Sequence, residues 1–493
     1  MRELLDGSAQ RIIRILETLL EEDGSMTLDR LALTLNASQR TLADDLNLLQ
    51  DRWGNLLHLE VTRKNGISLH NHNISAIGVV CRDLFNESVG LRWLRELLFH
   101  PRQTMETYEK RLFVSNSTLR RLLPRIQNVL SQKGMTIAQE NGKYWFEGTN
   151  EQNLRDFAAS FLLELNGLDL SNFDVSMDLD VLESIIRSLQ ERNTDPQHHE
   201  TLAQDDVVLA YQMMFYLISL VRERTGFNVP STYPAVNELT SQQLNCLAKF
   251  FPDVRPAQLA PIHEHLRSFF HAFPDPKEQA YVQDVIETFL SGLLRDLRLT
   301  PPPPIRTRLS FIMHSILCNL KMRPYKTSEL FDRIWYFSEN IQRQNPFLYD
   351  TTHHHLELAA CRLNLDLPLR IADVLFWICL TYPDITAAAP PLRILLLNDL
   401  GNKHARFLET LVRFQLKNRS SEIIIDANPS KLHLNPDDCM SYDLVLSTCP
   451  EPPPHPRCLI LSDYPQDSEW HALHSLLREV PERQAFHPEL PLA

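Results

Sequence analysis

Glycine is scarce, with 13 residues in a chain of 493, against about 7% in average proteins. Few tight turns can be built, which argues against a chain of many short strands and favours helices. Long apolar runs are also missing. The longest uncharged one, residues 207–221, falls short of the roughly 20 residues a bilayer requires, so a buried helix is expected there and no membrane association. The opening Met1-Arg2-Glu3-Leu4-Leu5-Asp6 is charged and no apolar core follows it, so no secretory signal is expected. None of the 8 cysteines forms a Cys-x-x-Cys pair, which points to unpaired thiols in a reducing cytoplasm. Basic excess is absent too. With 49 Lys+Arg against 62 Asp+Glu the net charge is −13, which excludes a protein that coats nucleic acid along its whole length.

Catalytic signatures are likewise missing. There is no phosphate-binding Gly-rich loop and no Gly-x-Ser-x-Gly elbow. His263-Glu264-His265 lacks the i, i+4 histidine spacing of a zinc protease helix. His353-His354-His355 reads as the polar start of a helix rather than a metal site. No enzyme activity, metal or cofactor is therefore expected.

What the chain does have is two similar patterns near its front. Residues 27–42 and 108–122 each place an amphipathic helix, a short polar break and a second helix opening on Ser or Thr. In the first, Leu28, Leu31, Ala32 and Leu35 line one helix and Leu42, Leu46 and Leu49 the next. In the second, Leu119, Leu122, Ile126 and Val129 form the stripe. A candidate wing hairpin follows each pattern, turning on Asn65-Gly66 and Asn141-Gly142, since both residue types tolerate positive φ. These are the parts of a winged helix-turn-helix, whose recognition helix presents polar side chains to the major groove.

The candidate DNA-facing residues follow from that geometry. In the first module they are Ser38 as N-cap, then Gln39, Arg40, Thr41 and Asn47, because Gln can pair with adenine and Arg with guanine. Asp44 and Asp45 sit badly beside phosphate, although Arg40 can offset Asp44 at i, i+4. In the second module they are Asn116, Ser117 and Thr118 at the tip, with Arg120, Arg121 and Arg125 behind. Pro124 within that helix is expected to bend it. Arg63, Lys64 and Lys143 are wing candidates for phosphate or minor-groove contact. Residues 1–150 hold 19 basic and 18 acidic side chains and the remainder 30 and 44, so the front is near neutral and the rest acidic.

Behind the front, residues 151–385 read as helix after helix, divided by Pro301-Pro302-Pro303-Pro304 into two comparable blocks; a proline run is expected to act as a stiff spacer. After Ala387-Ala388-Ala389-Pro390-Pro391 the composition changes. Strand runs at 392–397, 422–425, 443–447 and 458–462 alternate with helical stretches at 405–416 and 470–477, as in a small α/β domain with a mainly parallel sheet.

This order resembles the Mga/AtxA type of virulence transcriptional regulator from Gram-positive bacteria. Its most specific parts are Phe113-Val114-Ser115-Asn116-Ser117-Thr118-Leu119-Arg120-Arg121 and Tyr442-Asp443-Leu444-Val445-Leu446-Ser447-Thr448. The resemblance implies a mainly α chain: winged helix-turn-helix domains at 1–72 and 73–150, all-α bundles like phosphotransferase-system regulation domains (PRDs) at 151–299 and 300–386, and an α/β domain like the sugar-transport component EIIB at 390–493. It implies a DNA-binding regulator, of the activator kind, working on double-stranded DNA as a homodimer or higher homo-oligomer. Leu309-Ser310-Phe311-Ile312-Met313-His314 looks like the family's phosphorylated helix, with Lys321 in place of the usual Arg, making His314 the candidate phosphoacceptor for HPr or EIIB phosphocarriers. The first block has Ala203-Gln204-Asp205-Asp206 near the matching place, with His198 and His199 earlier. The loop after the first C-terminal strand, Asn398-Asp399-Leu400-Gly401-Asn402-Lys403, lacks the cysteine of an active EIIB, so oligomerisation is expected there rather than phosphoryl transfer. Two other readings stay open, a phosphotransferase-system phosphocarrier and an RNA-binding antiterminator. The latter opens with a small β-rich domain, against which the helical period of residues 8–50 argues.

Overall fold

Leucines spaced three and four apart dictate most of what the computed structural model shows. It describes residues 1–21, 25–62, 66–69, 74–167, 179–193, 206–230, 239–268, 272–322, 330–417, 423–428, 439–452 and 454–478. Among the described residues helices dominate, and the parallel sheet lies towards the C-terminal end. The chain divides into two compact units, one of residues 1–273 and 318–333, the other of residues 274–317 and 334–493.

In the first unit, helices Gly7–Glu21, Leu28–Leu35 and Gln39–Leu57 bury one apolar stripe each. Ile12, Leu16, Leu31, Leu42 and Leu49 are fully enclosed. A three-stranded antiparallel sheet, in the order Ser25–Met26, Gly66–Leu69, Leu59–Thr62, flanks them. Gly66 has φ +80°, and a Cβ there would lie 2.7 Å from the carbonyl oxygen of Met26. Only glycine fits this strand start. The expected wing cations Arg63 and Lys64 lie outside the described residues.

The plan is repeated by helices Val89–Phe99, Met105–Leu112 and Asn116–Ser131 with strands in the order Gln103–Thr104, Lys143–Gly148, Met135–Glu140. Asn141 and Gly142 take φ of 51° and 73°, the positive pair that matches a tight turn to the twist of its strands. The helix carrying Pro124 runs unbroken to Ser131. Pro124 is exposed, so water can meet the carbonyl that loses its N–H partner.

The two modules are tied together. Leu4 and Leu5 are buried, Ser88 Oγ donates to the carbonyl of Leu4 at 3.1 Å, and Trp53 Nε1 donates to Asp83 at 2.8 Å across to helix Ile74–Glu87. Helices Glu151–Asn166 and Asp206–Arg224 then pack behind the second wing. Most of the apolar run expected as a buried helix is buried in the second of these, residues 209–210 and 212–221, while Val207 at its start is exposed. Between them lies a charge network. Arg155 meets Glu223 at 2.8 Å and Glu151 at 3.1 Å, and Arg222 meets Glu151 at 2.5 Å. Arg222 Nη1 also donates to the carbonyl of Phe146, in the wing strand, at 2.9 Å. Both guanidinium side chains are fully buried, an arrangement that is tolerable because each is paired and hydrogen-bonded.

In the second unit, helix Pro276–Asp296 packs on Pro346–Leu363. Pro303 and Pro304 do not form a spacer. They open helix Pro303–Met322, because a first-turn N–H has no intrahelical partner to lose. The three consecutive histidines do not begin a helix either. They sit in the middle of Pro346–Leu363, where His355 is buried and its Nε2 lies 2.8 Å from Asp296 Oδ2. Nearby, a Cβ on Gly292 would meet the His355 ring at 2.6 Å. The chain then forms a four-stranded, all-parallel sheet in the order Cys458–Ile460, Leu444–Ser447, Leu392–Leu397, Ile423–Asn428. Helices Asn402–Gln415 and Asp467–Arg478 cover it through Leu408, Val412, Trp470 and Leu473. None of the eight cysteines forms a disulfide.

Candidate nucleic-acid interface

Each recognition helix is positioned by the same short grammar. Thr27 caps helix Leu28–Leu35 by accepting from the Arg30 N–H, Asn36 turns the chain at φ 49°, and Ser38 caps the next helix by accepting from the Thr41 N–H. In the second module Thr104, Phe113 at φ 57° and Ser115 take the same three roles. The caps satisfy N–H groups that would otherwise lack partners, and they fix where each helix begins.

The side chains then sort into free and occupied. Gln39, Arg40 and Asn47 are exposed and Thr41 is half-buried. The Ser38 hydroxyl is engaged by its own cap and by Thr41 Oγ1 at 2.7 Å. The Gln39 amide donates to Asp29, so it must leave that partner before it can meet a base. Asp45 does not sit beside phosphate. It is 4% exposed and points inward, accepting from Ser8 at 2.6 Å and from Arg11 at 2.6 Å. Hydrogen bonding to that carboxylate raises the Arg11 pKa. Asp44 alone of the two faces water.

In the second module Ser117, Arg120 and Arg121 are exposed, and Asn116 and Thr118 are half-buried. Asn116 Oδ1 accepts from Arg120 Nε at 2.6 Å and holds the guanidinium over the helix start. Ser115 Oγ lies 2.8 Å from Ser117 Oγ and 3.0 Å from Thr118 Oγ1. Arg125 is turned elsewhere. Its Nη2 donates to the carbonyl of Glu3 at 2.6 Å, so it helps to tie the modules together. Lys143 stands exposed at the wing turn. Lys110 and Arg111 are already paired, with Glu106 at 2.8 Å and with Glu96 at 2.5 Å.

Sequence reasoning passed over the N-terminal ends of the preceding helices, at Thr27 and Thr104. In this motif that helix crosses the DNA backbone, and its N-terminus is a ready phosphate site. The signal was available as Thr three residues before the capped N–H. Charge separates the modules. Residues 101–150 hold 8 basic and 4 acidic side chains, residues 1–50 hold 5 and 9, so phosphate attraction is concentrated in the second.

Comparison with known proteins agrees with this geometry. Residues 9–64 match the model of the M protein trans-acting positive regulator (MGA) HTH domain, and residues 76–162 match the Mga helix-turn-helix domain. The front of the chain is a pair of Mga-type helix-turn-helix domains. A similar protein is the "Putative trans-acting regulator" of Streptococcus pneumoniae serotype 4 (strain ATCC BAA-334 / TIGR4), 28% identical over 169 residues. That match spans 33% of this chain and 32% of the relative. Both Mga-type domains lie in the first compact unit. Among the described residues no helix is long and apolar enough to cross a membrane.

Proposed function

We propose that this chain is a cytoplasmic transcriptional regulator of the activator kind that binds double-stranded DNA through both Mga-type domains at once. One observation carries the reading: two recognition helices, each capped and each presenting polar and basic side chains, are held in a single compact unit by the segment Met1–Leu5 and helix Ile74–Glu87. A body with two recognition elements fixed in relation to each other gains affinity without any new contact, because the second engagement is intramolecular. Arg120, Arg121 and Lys143 supply phosphate attraction, and Arg40, Asn47 and Ser117 offer the remaining polar contacts. With so few base-reading side chains unoccupied among the described residues, DNA shape and deformability supply much of the selectivity.

The helical middle and the α/β domain then govern activity. His314, half-buried on helix Pro303–Met322, is the proposed acceptor of a phosphoryl group from HPr or an EIIB carrier. The other positions considered, His198, His199 and 203–205, lie outside the described residues, as does the side chain of Asp206. The α/β domain is assigned to homo-oligomerisation and no enzymatic role. A gel-shift series with the purified full chain on random, AT-rich and curved duplexes, with single-stranded RNA as control, tests the reading. Retardation of duplex but not RNA is the expected result, and equal or preferential RNA binding would favour an antiterminator.

A further inference from the structure

Phe113 stands where folding gives no reason for a phenylalanine. It ends helix Met105–Leu112 with φ 57° and ψ 42°, in the left-handed region that side chains enter only at a cost and that asparagine tolerates better. Among the described non-glycine residues with positive φ, Asn36, Asn141 and Asn364 are asparagines and Phe113 is the only apolar one. Its ring is 91% exposed, more than any other large apolar side chain among the described residues. The core beside it is complete without it, since Tyr108, Leu112 and Leu119 are buried. The residue thus strains the backbone and leaves an aromatic surface in water.

The first module builds the same turn without that cost. Thr27, Asn36 and Ser38 stand at the same spacing as Thr104, Phe113 and Ser115, and Asn36 takes φ 49° and ψ 49°. The turns also close alike. Ala37 N donates to the carbonyl of Ala32 at 3.1 Å, and Val114 N to that of Glu109 at 3.2 Å. Asparagine is therefore enough for the fold, and the ring in the second module serves something outside the chain.

Its position names the partner. Ser115, two residues on, caps the recognition helix, and this motif lays the N-terminal residues of that helix against base edges in the major groove. A side chain on the turn just before the cap stands at the edge of that groove once the helix is seated. The neighbours on the helix suit DNA, since Ser117, Arg120 and Arg121 are exposed on its first two turns. A hydrocarbon ring cannot bond phosphate. What the duplex offers it there is the methyl group of thymine, which phenylalanine is known to read, or the C–H surface of deoxyribose. We infer that Phe113 packs against this apolar surface of the duplex beside the recognition helix, and so adds affinity that does not depend on charge. The contact rests on the reading that the second module docks on DNA. It belongs to that module alone, because the first has polar Asn36 in the same place.

Fluorescence anisotropy of the full chain on a duplex selected from a random pool tests this with two variants. Phe113→Asn copies the first module, so the turn should still form. Its affinity should fall about tenfold, as loss of much of a buried aromatic ring implies. The melting temperature of the DNA-free variant should rise by about 2 °C as the strain is released. Its salt slope should stay that of the parent protein, since no ion contact is lost. Phe113→Leu keeps the strain and an apolar side chain, and should lose only about threefold. Deoxyuridine in place of thymine separates the two sources of apolar surface. If it weakens the parent protein but not Phe113→Asn, the ring meets a methyl group; if it weakens neither, the ring meets deoxyribose. Phe113→Asn binding as tightly as the parent protein would overturn the inference with DNA docking intact, and would assign the ring to a protein partner. A loss accompanied by a flattened salt slope would overturn it as well, because displaced arginines would then account for the loss. A parent protein that binds no duplex would remove the DNA reading itself, and this contact with it.

Discussion

Replacing arginines on the second recognition helix separates DNA contact from domain contact. Arg120 and Arg121 are exposed at the start of that helix, whereas Arg125, on the same helix, is bonded to the Glu3 carbonyl at 2.6 Å. If the first two touch phosphates, the double variant Arg120→Ala/Arg121→Ala loses two ion contacts. Each contact contributes about 0.9 to the slope of log affinity against log salt, so the slope should flatten by about 1.8. Raising salt about fourfold, from about 50 to about 200 mM, should then cost the variant about twelvefold less affinity than it costs the parent protein. Arg125→Ala should leave the slope unchanged and instead lower thermal stability. Fluorescence anisotropy with a labelled duplex across that salt range reads both effects. An unaltered slope in the double variant, or a flattened slope in Arg125→Ala, would refute the assignment of these three side chains.

Three further outcomes follow from packing. Gly66→Ala places a Cβ against the Met26 carbonyl at a φ of +80° and should destabilise by about 1–3 kcal/mol, measurable by urea denaturation. Arg222→Met removes one of the two arginines paired with Glu151 and takes a donor from the Phe146 carbonyl. A loss of about 1–3 kcal/mol is expected, and unchanged stability would show that Arg222 contributes nothing to the network. Burial lowers the His263 pKa to about 4, and its Nε2 lies 3.0 Å from the Tyr216 hydroxyl. A depressed histidine pKa means that the unfolded chain takes up the proton first. Stability should therefore be full above pH ~6.5 and fall as pH drops towards 4, by up to about 3 kcal/mol. Denaturation midpoints of His263→Gln over that range should show a shallower fall, and an identical pH profile would count against it.

Much of the architecture was legible because local rules set it. The caps Ser38 and Ser115, the Asn141-Gly142 turn and the leucine stripes are short-range signals, and the alternation of strands and helices after residue 390 marks a parallel sheet. What was not legible depends on partners far away in the chain. Asp45 looked like a misplaced surface charge because nothing in its own helix announces Arg11 and Ser8. Arg125 shares its helix period with Arg121, yet a backbone carbonyl more than a hundred residues earlier claims it. His355 reads as polar until Asp296 and the space above Gly292 are brought against it. Pro303 and Pro304 show a different limit, since a proline run is equally compatible with a spacer and with a helix start.

The most direct measurement is hydroxyl-radical footprinting of the full chain on a duplex selected from a random pool. Two patches of backbone protection in neighbouring grooves of one molecule are expected, with the stronger patch weakened by Arg120→Ala/Arg121→Ala. A single patch, or uniform cleavage at saturating protein, would contradict docking by both Mga-type domains together.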